Sequence, residues 1–359
     1  MTNFQKCEKC GCKIEKYEFI KNENDLSKYG WWIEKFSREI HSKNKCEIFV
    51  KSKRFHKSRI RTNIANWFIN HNSIYVNPVS LRNFFLASTG NLRTLPDFLI
   101  VGVAKSGTTS MYNYLIEHPT IHPINIEKEY RYPLKKEVRF FDRYYNLGTR
   151  WYKAHFPLKF SKFVQKNLKK NSFLTGESTP AYFHNPLVPK RVKQLLPKVK
   201  LIFLLRNPIE RAFSHYKHNK KLNFENLTFE EAIKIESKRL EGEKTKTITD
   251  KNYFSFPTQL FSYLNSGIYI EHLNNWLNEF DREQILIINS DDFFNQPKDV
   301  MKKTYEFLNV DFFDLSKYEI FNPGVQKEIS NEMRNYLRDF YKPHNEKLYK
   351  FLNLNFNWS

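Results

Sequence analysis

Short uncharged apolar runs alternate with segments whose apolar residues recur every three or four positions, and this alternation organises the chain from about residue 95 onward. Phe98 to Val103 is free of charge and rich in β-branched residues, as a strand buried on both faces of a parallel sheet must be. It runs through Ala104-Lys105-Ser106-Gly107 into a helical pattern that starts at Thr109 or Ser110 and carries Met111, Tyr114 and Leu115 on one face. His118-Pro119 ends that helix. Phe173 to Glu177 predicts a strand, and Pro186 to Leu196 a helix with Val188, Val192, Leu195 and Leu196 together, stopped by Pro197. Lys200 to Leu205 predicts the next strand, after which Asn207-Pro208 supplies a cap and a proline at the first helical position. Lys217 to Thr249 is charged and reads as a helix pair with loops. Ile268 to Phe280 reads as helix, Gln284 to Asn289 as strand and Pro297 to Leu308 as amphipathic helix. The C-terminal segment predicts a helix from Ser330 that stops at Lys342-Pro343 and restarts at His344-Asn345. Strands alternating with helices predict an α/β fold: a P-loop-type doubly wound parallel sheet flanked by helices.

Residues 1–93 show no clean period and read as an N-terminal appendage; 94–359 reads as the main domain. All four cysteines, Cys7, Cys10, Cys12 and Cys46, fall in the appendage. Cys7-Glu8-Lys9-Cys10-Gly11-Cys12 resembles half a zinc knuckle that Cys46, His41 or His56 would complete, against the alternative of free thiols. The cysteine-free remainder needs no oxidising compartment. Without a long apolar run or a signal-type leader, the expectation is a soluble, cytoplasmic protein with no integral membrane contact. Lys plus Arg number 59 against 38 Asp plus Glu, a net charge of +21 that favours anionic ligands without choosing among them.

Candidate chemistry concentrates in the loop after Phe98–Val103. Gly102 and Gly107 let backbone N–H groups turn inward on an anion, and the following helix adds the positive end of its dipole. Lys105, Ser106, Gly107, Thr108, Thr109 and Ser110 are the binding candidates. A Walker loop places lysine directly after its last glycine, whereas Gly107 is followed by Thr108 and Thr109 and the lysine stands before it. The strand Lys200–Leu205 ends in Arg206, where a magnesium-binding loop would place aspartate. Ser214 follows on the next helix, where it and Arg206 suit one phosphate. The site therefore predicts a phosphate-rich nucleotide held by side-chain cations, with no metal ligand set.

These motifs carry a resemblance. Phe98 to Ser110 resembles the 5′-phosphosulfate loop of sulfotransferases that use 3′-phosphoadenosine 5′-phosphosulfate, and Leu201 to Ser214 resembles their 3′-phosphate motif. With Lys136-Glu-Val-Arg-Phe-Phe-Asp142, Gly176-Glu-Ser-Thr-Pro-Ala-Tyr-Phe183 and Tyr341 to Tyr349, the chain is similar to the heparan sulfate N- and 3-O-sulfotransferase branch over about Leu95 to Trp358. The resemblance implies sulfuryl transfer to a hydroxyl or amine on a glycan or glycolipid, with Glu137 as catalytic base, Lys105 stabilising the leaving 5′-phosphate, and Arg206 and Ser214 on the 3′-phosphate. Three departures stand out. Ser178 replaces a lysine usual in those relatives, and Arg139 replaces a histidine and is the candidate to supply the missing charge. Asn322 to Ile329 holds Lys327 and no cysteine where a disulfide-closed loop is usual. Residues 124–134 read as an insertion shaping the acceptor side. Two other readings stay open: a P-loop kinase or NTPase, and a non-catalytic binder of nucleic acid or another polyanion; nucleic acid is not the favoured partner.

Overall fold

The computed structural model describes residues 4–6, 13–15, 87–124, 136–168, 170–319 and 329–358. The chain forms two compact units, Met1–Pro78 and Val79–Ser359. In the first, strands β1 (Phe4–Lys6) and β2 (Lys13–Glu15) pair antiparallel, Phe4 opposite Glu15. The four cysteines, His41 and His56 lie outside the described residues, as do residues 125–135 and Lys327. Residues 87–93, grouped with the appendage on sequence, make their contacts within the second unit. Arg93 Nη1 donates to the Phe156 carbonyl (2.8 Å) and the Thr94 amide to that of Pro157 (2.9 Å).

The second unit is built on a five-stranded sheet of β3 (Phe98–Gly102), β4 (Ile121–His122), β5 (Leu174–Ser178), β6 (Lys200–Leu205) and β7 (Ile285–Asn289). Their order is β4-β5-β3-β6-β7, every pair parallel. The chain starts in the middle, winds out to one edge and back, then crosses to the other. The carboxyl end of β3 is therefore the switch point where such sheets take ligands. β3 is buried along its whole length and β6 after Lys200, which explains their charge-free sequences.

The flanking helices used below are α1 (Thr108–Glu117), α2 (Val188–Leu195), α3 (Pro208–Lys221), α4 (Tyr269–Leu277), α5 (Ser290–Asn295), α6 (Pro297–Leu308) and α7 (Asn331–Leu352). α3 starts as its cap dictates, the Ile209 amide donating to Asn207 Oδ1 at 3.0 Å with Pro208 in the first turn. α1 begins at Thr108, one residue before the expected start, because Gly107 takes the cap in the left-handed region.

α7 departs from expectation more substantially: it runs through Pro343 as one helix. Pro343 cannot donate to the preceding turn, yet Met333, Leu337 and Tyr341 before it and Asn345 and Leu348 after it are all buried, and that shared apolar face holds the two halves in line. α5 was not anticipated; its six residues are too few to show a period.

Close packing across the sheet yields one test. A Cβ on Gly176 of β5 would lie 2.5–2.6 Å from the ring of fully buried Phe98 on β3. Gly176→Ala is expected to cost about 1–3 kcal/mol, measured as a lowered urea midpoint at unchanged slope.

Candidate active site

The loop leaving β3 is tied down from the ends of two strands, β6 and β7. The Val103 amide donates to Leu204 of β6 (2.9 Å), and Ser290 Oγ, at the start of α5 after β7, donates to the Ser106 carbonyl (2.8 Å). Arg206, the residue after β6, donates from Nη1 to the Lys105 carbonyl at 3.0 Å, and its own carbonyl accepts from the Tyr269 hydroxyl at 2.7 Å. These bonds hold Lys105 at φ 73°, a left-handed conformation that a lysine does not adopt unaided. Gly107, at φ 89°, packs its bare Cα against Phe293 and Phe294 of α5; a Cβ there would come within 2.9 Å of the Phe294 ring. Lys105 and Arg206 thus share one rim of the sheet, as their strand positions predict.

On the β5 side, residues 136–140 are laced to the strand end. The Ser178 amide donates to the Lys136 carbonyl (3.0 Å), the Val138 amide to Glu177 Oε2 (3.0 Å) and the Phe140 amide to the Tyr182 hydroxyl (2.9 Å). Glu177 is fully buried and also accepts from Thr179 Oγ1 (2.6 Å) and from the hydroxyls of Tyr152 and Tyr182 (both 2.9 Å). Burial lifts its carboxyl to about 7 against the pull of these four hydrogen bonds. Lys136, Val138 and Phe140 alternate inward. Glu137 between them is half-buried at the rim.

Among the described residues, the charged side chains next to Glu137 in sequence are engaged elsewhere. Arg139 turns its guanidinium to Asp142, Nε at 2.8 Å from Oδ2, and Nη2 reaches Gln259 Oε1 at 3.1 Å. Lys136 sends Nζ to Thr108 Oγ1 and Ser178 Oγ, both at 3.0 Å. Arg139 is therefore not the cation that makes up for Ser178. Lys136 sits beside that serine instead, because a side chain two positions before Val138 shares its inward register. Burial raises the Glu137 carboxyl above the ordinary range, with Asp142 pushing the same way and Lys136 and Arg139 opposing.

Three more features mark a place for an anion. Burial holds the Lys105 ammonium down to about 8, and Arg206, Lys221 and Arg211 add repulsion. Lys136, 3% exposed, is likewise held to about 8 by burial, with Lys105 adding to it and Glu137 opposing. Ser106 Oγ is buried without a protein partner. Thr108 and Ser110 are buried in the first turn of α1, and Thr109 is half-buried. Ser214 lies in the second turn of α3, half-buried, on the helix that starts beside Arg206. Among the described residues no group of three or more His, Cys, Asp or Glu side chains is arranged to hold a metal ion.

Residues 95–350 match the family model described as "Sulfotransferase domain". The chain belongs to the sulfotransferase family. It is 31% identical over 336 residues to the membrane-associated sulfotransferase kil1 of Dictyostelium discoideum, covering 75% of this chain and 68% of that protein. It is 26% identical over 310 residues to the heparan sulfate glucosamine 3-O-sulfotransferase 3B1 of Mus musculus, covering 78% and 69% respectively. A bifunctional heparan sulfate N-deacetylase/N-sulfotransferase 1 of Caenorhabditis elegans is 28% identical over 286 residues, 73% of this chain and 30% of that longer protein. In three dimensions the chain resembles a sulfotransferase from Alicyclobacillus acidocaldarius, with a TM-score of 0.54 and 24% identity over 73% of this chain and 97% of that one, a likeness of fold. The P-loop-type architecture and the assignment to a sulfuryl-transferring enzyme hold.

Two residues of this sulfotransferase site escaped the sequence reading. Lys136 looks like one of several charges in Lys135-Lys136-Glu137, and its signal is the period of two with Val138 and Phe140. Glu177 sits in a short strand, and of its four donors two, on Val138 and Tyr152, come from segments remote in sequence.

Lys136 makes the site's charge measurable in the unliganded protein. Its folded value, about 8, lies below the ordinary 10.5, so between those values the unfolded chain holds a proton that the folded chain has released, and stability rises with pH. Below pH 8 the buried ammonium is a cost. Urea unfolding should show wild type gaining stability from pH 7 to 9.5. Lys136→Met should lack about half of that rise, Lys105 supplying the rest, and be more stable than wild type at pH 7, on the order of 1–3 kcal/mol.

Proposed function

We propose that this sulfotransferase uses 3′-phosphoadenosine 5′-phosphosulfate and passes the sulfuryl group to a hydroxyl or amine of a glycan or glycolipid, with Glu137 as base. The observation that carries the reading is the 3.0 Å bond from Arg206 Nη1 to the Lys105 carbonyl, which gathers two cationic grips at one rim. The orphaned Ser106 hydroxyl and the Lys136 ammonium, bonded among the described residues only to hydroxyls, fit an anion at the start of α1. Arg206, ending β6 where a magnesium-binding carboxylate would stand, fits a nucleotide held by side chains without a metal.

The donor supplies an activated S–O bond whose leaving group is a phosphate. Lys105, the loop amides of Ser106 to Thr108 and Lys136 neutralise the charge that grows on that phosphate and on the sulfonate oxygens. Arg206 and Ser214 take the 3′-phosphate. Glu137 accepts the acceptor's O–H or N–H proton as the new bond to sulfur forms and the bond to the 5′-phosphate breaks. Its raised proton affinity suits that role, and the Glu177 clamp fixes the backbone on which it sits. The mouse and worm relatives are by name heparan sulfate sulfotransferases, which supports a glycan acceptor. For location the proposal stays with the cytoplasm, on the cysteine-free catalytic unit. Among the described residues no helix is long and apolar enough to cross a membrane, and peripheral attachment is compatible with the reading.

Without magnesium, 3′-phosphoadenosine 5′-phosphate should raise the thermal midpoint, and Arg206→Ala should abolish the rise. Stabilisation by ATP with magnesium alone would transfer the assignment to a kinase. Glu137→Gln should keep nucleotide binding and lower kcat by roughly 10²–10⁴-fold; unchanged turnover removes Glu137 from the chemistry.

The pH dependence follows from the same groups. For kcat/KM, which reports the free enzyme, activity should climb as Glu137 ionises and fall above about pH 8 as Lys105 and Lys136 lose their protons. A profile still rising at pH 9.5 would separate both lysines from the transfer step.

A further inference from the structure

At the opposite end of the sheet lies a surface that the transfer reaction does not use. Between Asp142 and Glu177 the chain carries eight Lys and Arg residues and no acid. Its middle is a short helical stretch, Lys159–Phe163 continuing as Val164–Leu168. The side of this stretch facing the protein is polar. Lys162 Nζ pairs with Asp97 Oδ1 at 2.7 Å, and Ser161 and Gln165 line a cavity of about 490 Å³ with His122 and Phe173. Apart from half-buried Val164, its apolar residues point the other way: Phe160 is 72% exposed, Phe163 55% and Leu168 71%. Lys159 and Lys166 flank this arc and are also exposed. Among the described residues nothing covers these apolar side chains, which are turned outward among like charges.

We infer that this face, Phe160, Phe163 and Leu168 with Lys159, Lys166 and Lys170, docks peripherally on an anionic lipid surface. The chemistry fits both parts of such a surface: aromatic and aliphatic side chains enter the boundary of the acyl chains while ammonium groups meet acidic headgroups. Position argues against an acceptor-binding role. Asp97 directly precedes β3 and Phe173 directly precedes β5, so the face lies at the amino ends of the strands. Lys105, Glu137 and Arg206 lie at the carboxyl ends. Docking therefore leaves the catalytic rim turned away from the bilayer. The inference stands independently of the donor and acceptor proposed above.

The test is sedimentation of the full chain with vesicles of phosphatidylcholine alone or mixed with phosphatidylserine. Wild type should sediment with the mixed vesicles and stay in solution with the neutral ones. Phe160→Ser with Phe163→Ser should weaken binding at least about tenfold. Lys159→Gln with Lys166→Gln and Lys170→Gln should do so by roughly tenfold or more. All five positions are exposed, so melting temperature and turnover on a soluble acceptor should be unchanged; the lysine variant stands as an independent arm should the serine variant fold poorly. Equal recovery on both vesicle types, or binding indifferent to both variants, overturns the inference. Loss of retention on an acidic glycan column in the same variants, with vesicle binding intact, reassigns the face to a polyanion.

Discussion

The geometry of the candidate site depends on a carboxyl group to which the proposed mechanism assigns no chemical step. Glu177 is buried at the end of β5 with four donors around it, from Val138, Thr179, Tyr152 and Tyr182. A carboxyl group so placed costs a great deal unless every donor is in position, and satisfying it fixes the segment from Lys136 to Phe140 against the strand. Two outcomes follow from that anchoring. Lys136 is drawn inward to Thr108 and Ser178, and Glu137 is left at the rim with its charged neighbours engaged elsewhere.

The second constraint is the accumulation of positive charge on the other side of β3. Lys105, Arg206 and Arg211 are brought together by the ends of β3 and β6 and the start of α3, and the proton affinity of Lys105 is lowered first by burial and further by their repulsion. A fold tolerates such crowding when an anion relieves it during function. The left-handed backbone at Lys105 belongs to the same arrangement: local cost is concentrated where a ligand is to be held and offset by bonds from Arg206, Tyr269 and Ser290.

Much of this was legible along the chain because the signals are local. Charge-free runs marked β3 and β6, since both are buried on two faces. Asn207-Pro208 marked the start of α3, since capping is a matter of adjacent residues. The loop residues from Lys105 to Ser110 and Arg206 fell where strand ends put them. What was missed is nonlocal. Pro343 reads as a break until Met333, Leu337, Tyr341 and Leu348 are seen to share one buried face. Arg139 looked like the replacement for a missing cation because charge is visible in a sequence, whereas its pairing with Asp142 and the inward turn of Lys136 depend on backbone direction. Glu177 could not be singled out, because two of its donors lie on tyrosines distant from the Val138 segment it clamps.

The strand order has a consequence of its own. β3 stands between the side that carries the proposed base, through β5 and residues 136–140, and the side that carries the proposed nucleotide grips, through β6, β7 and the helices after them. The two meet only at one short loop. On the proposed mechanism, exchanges confined to the β5 flank would alter the acceptor side and leave the nucleotide grips on the other flank in place.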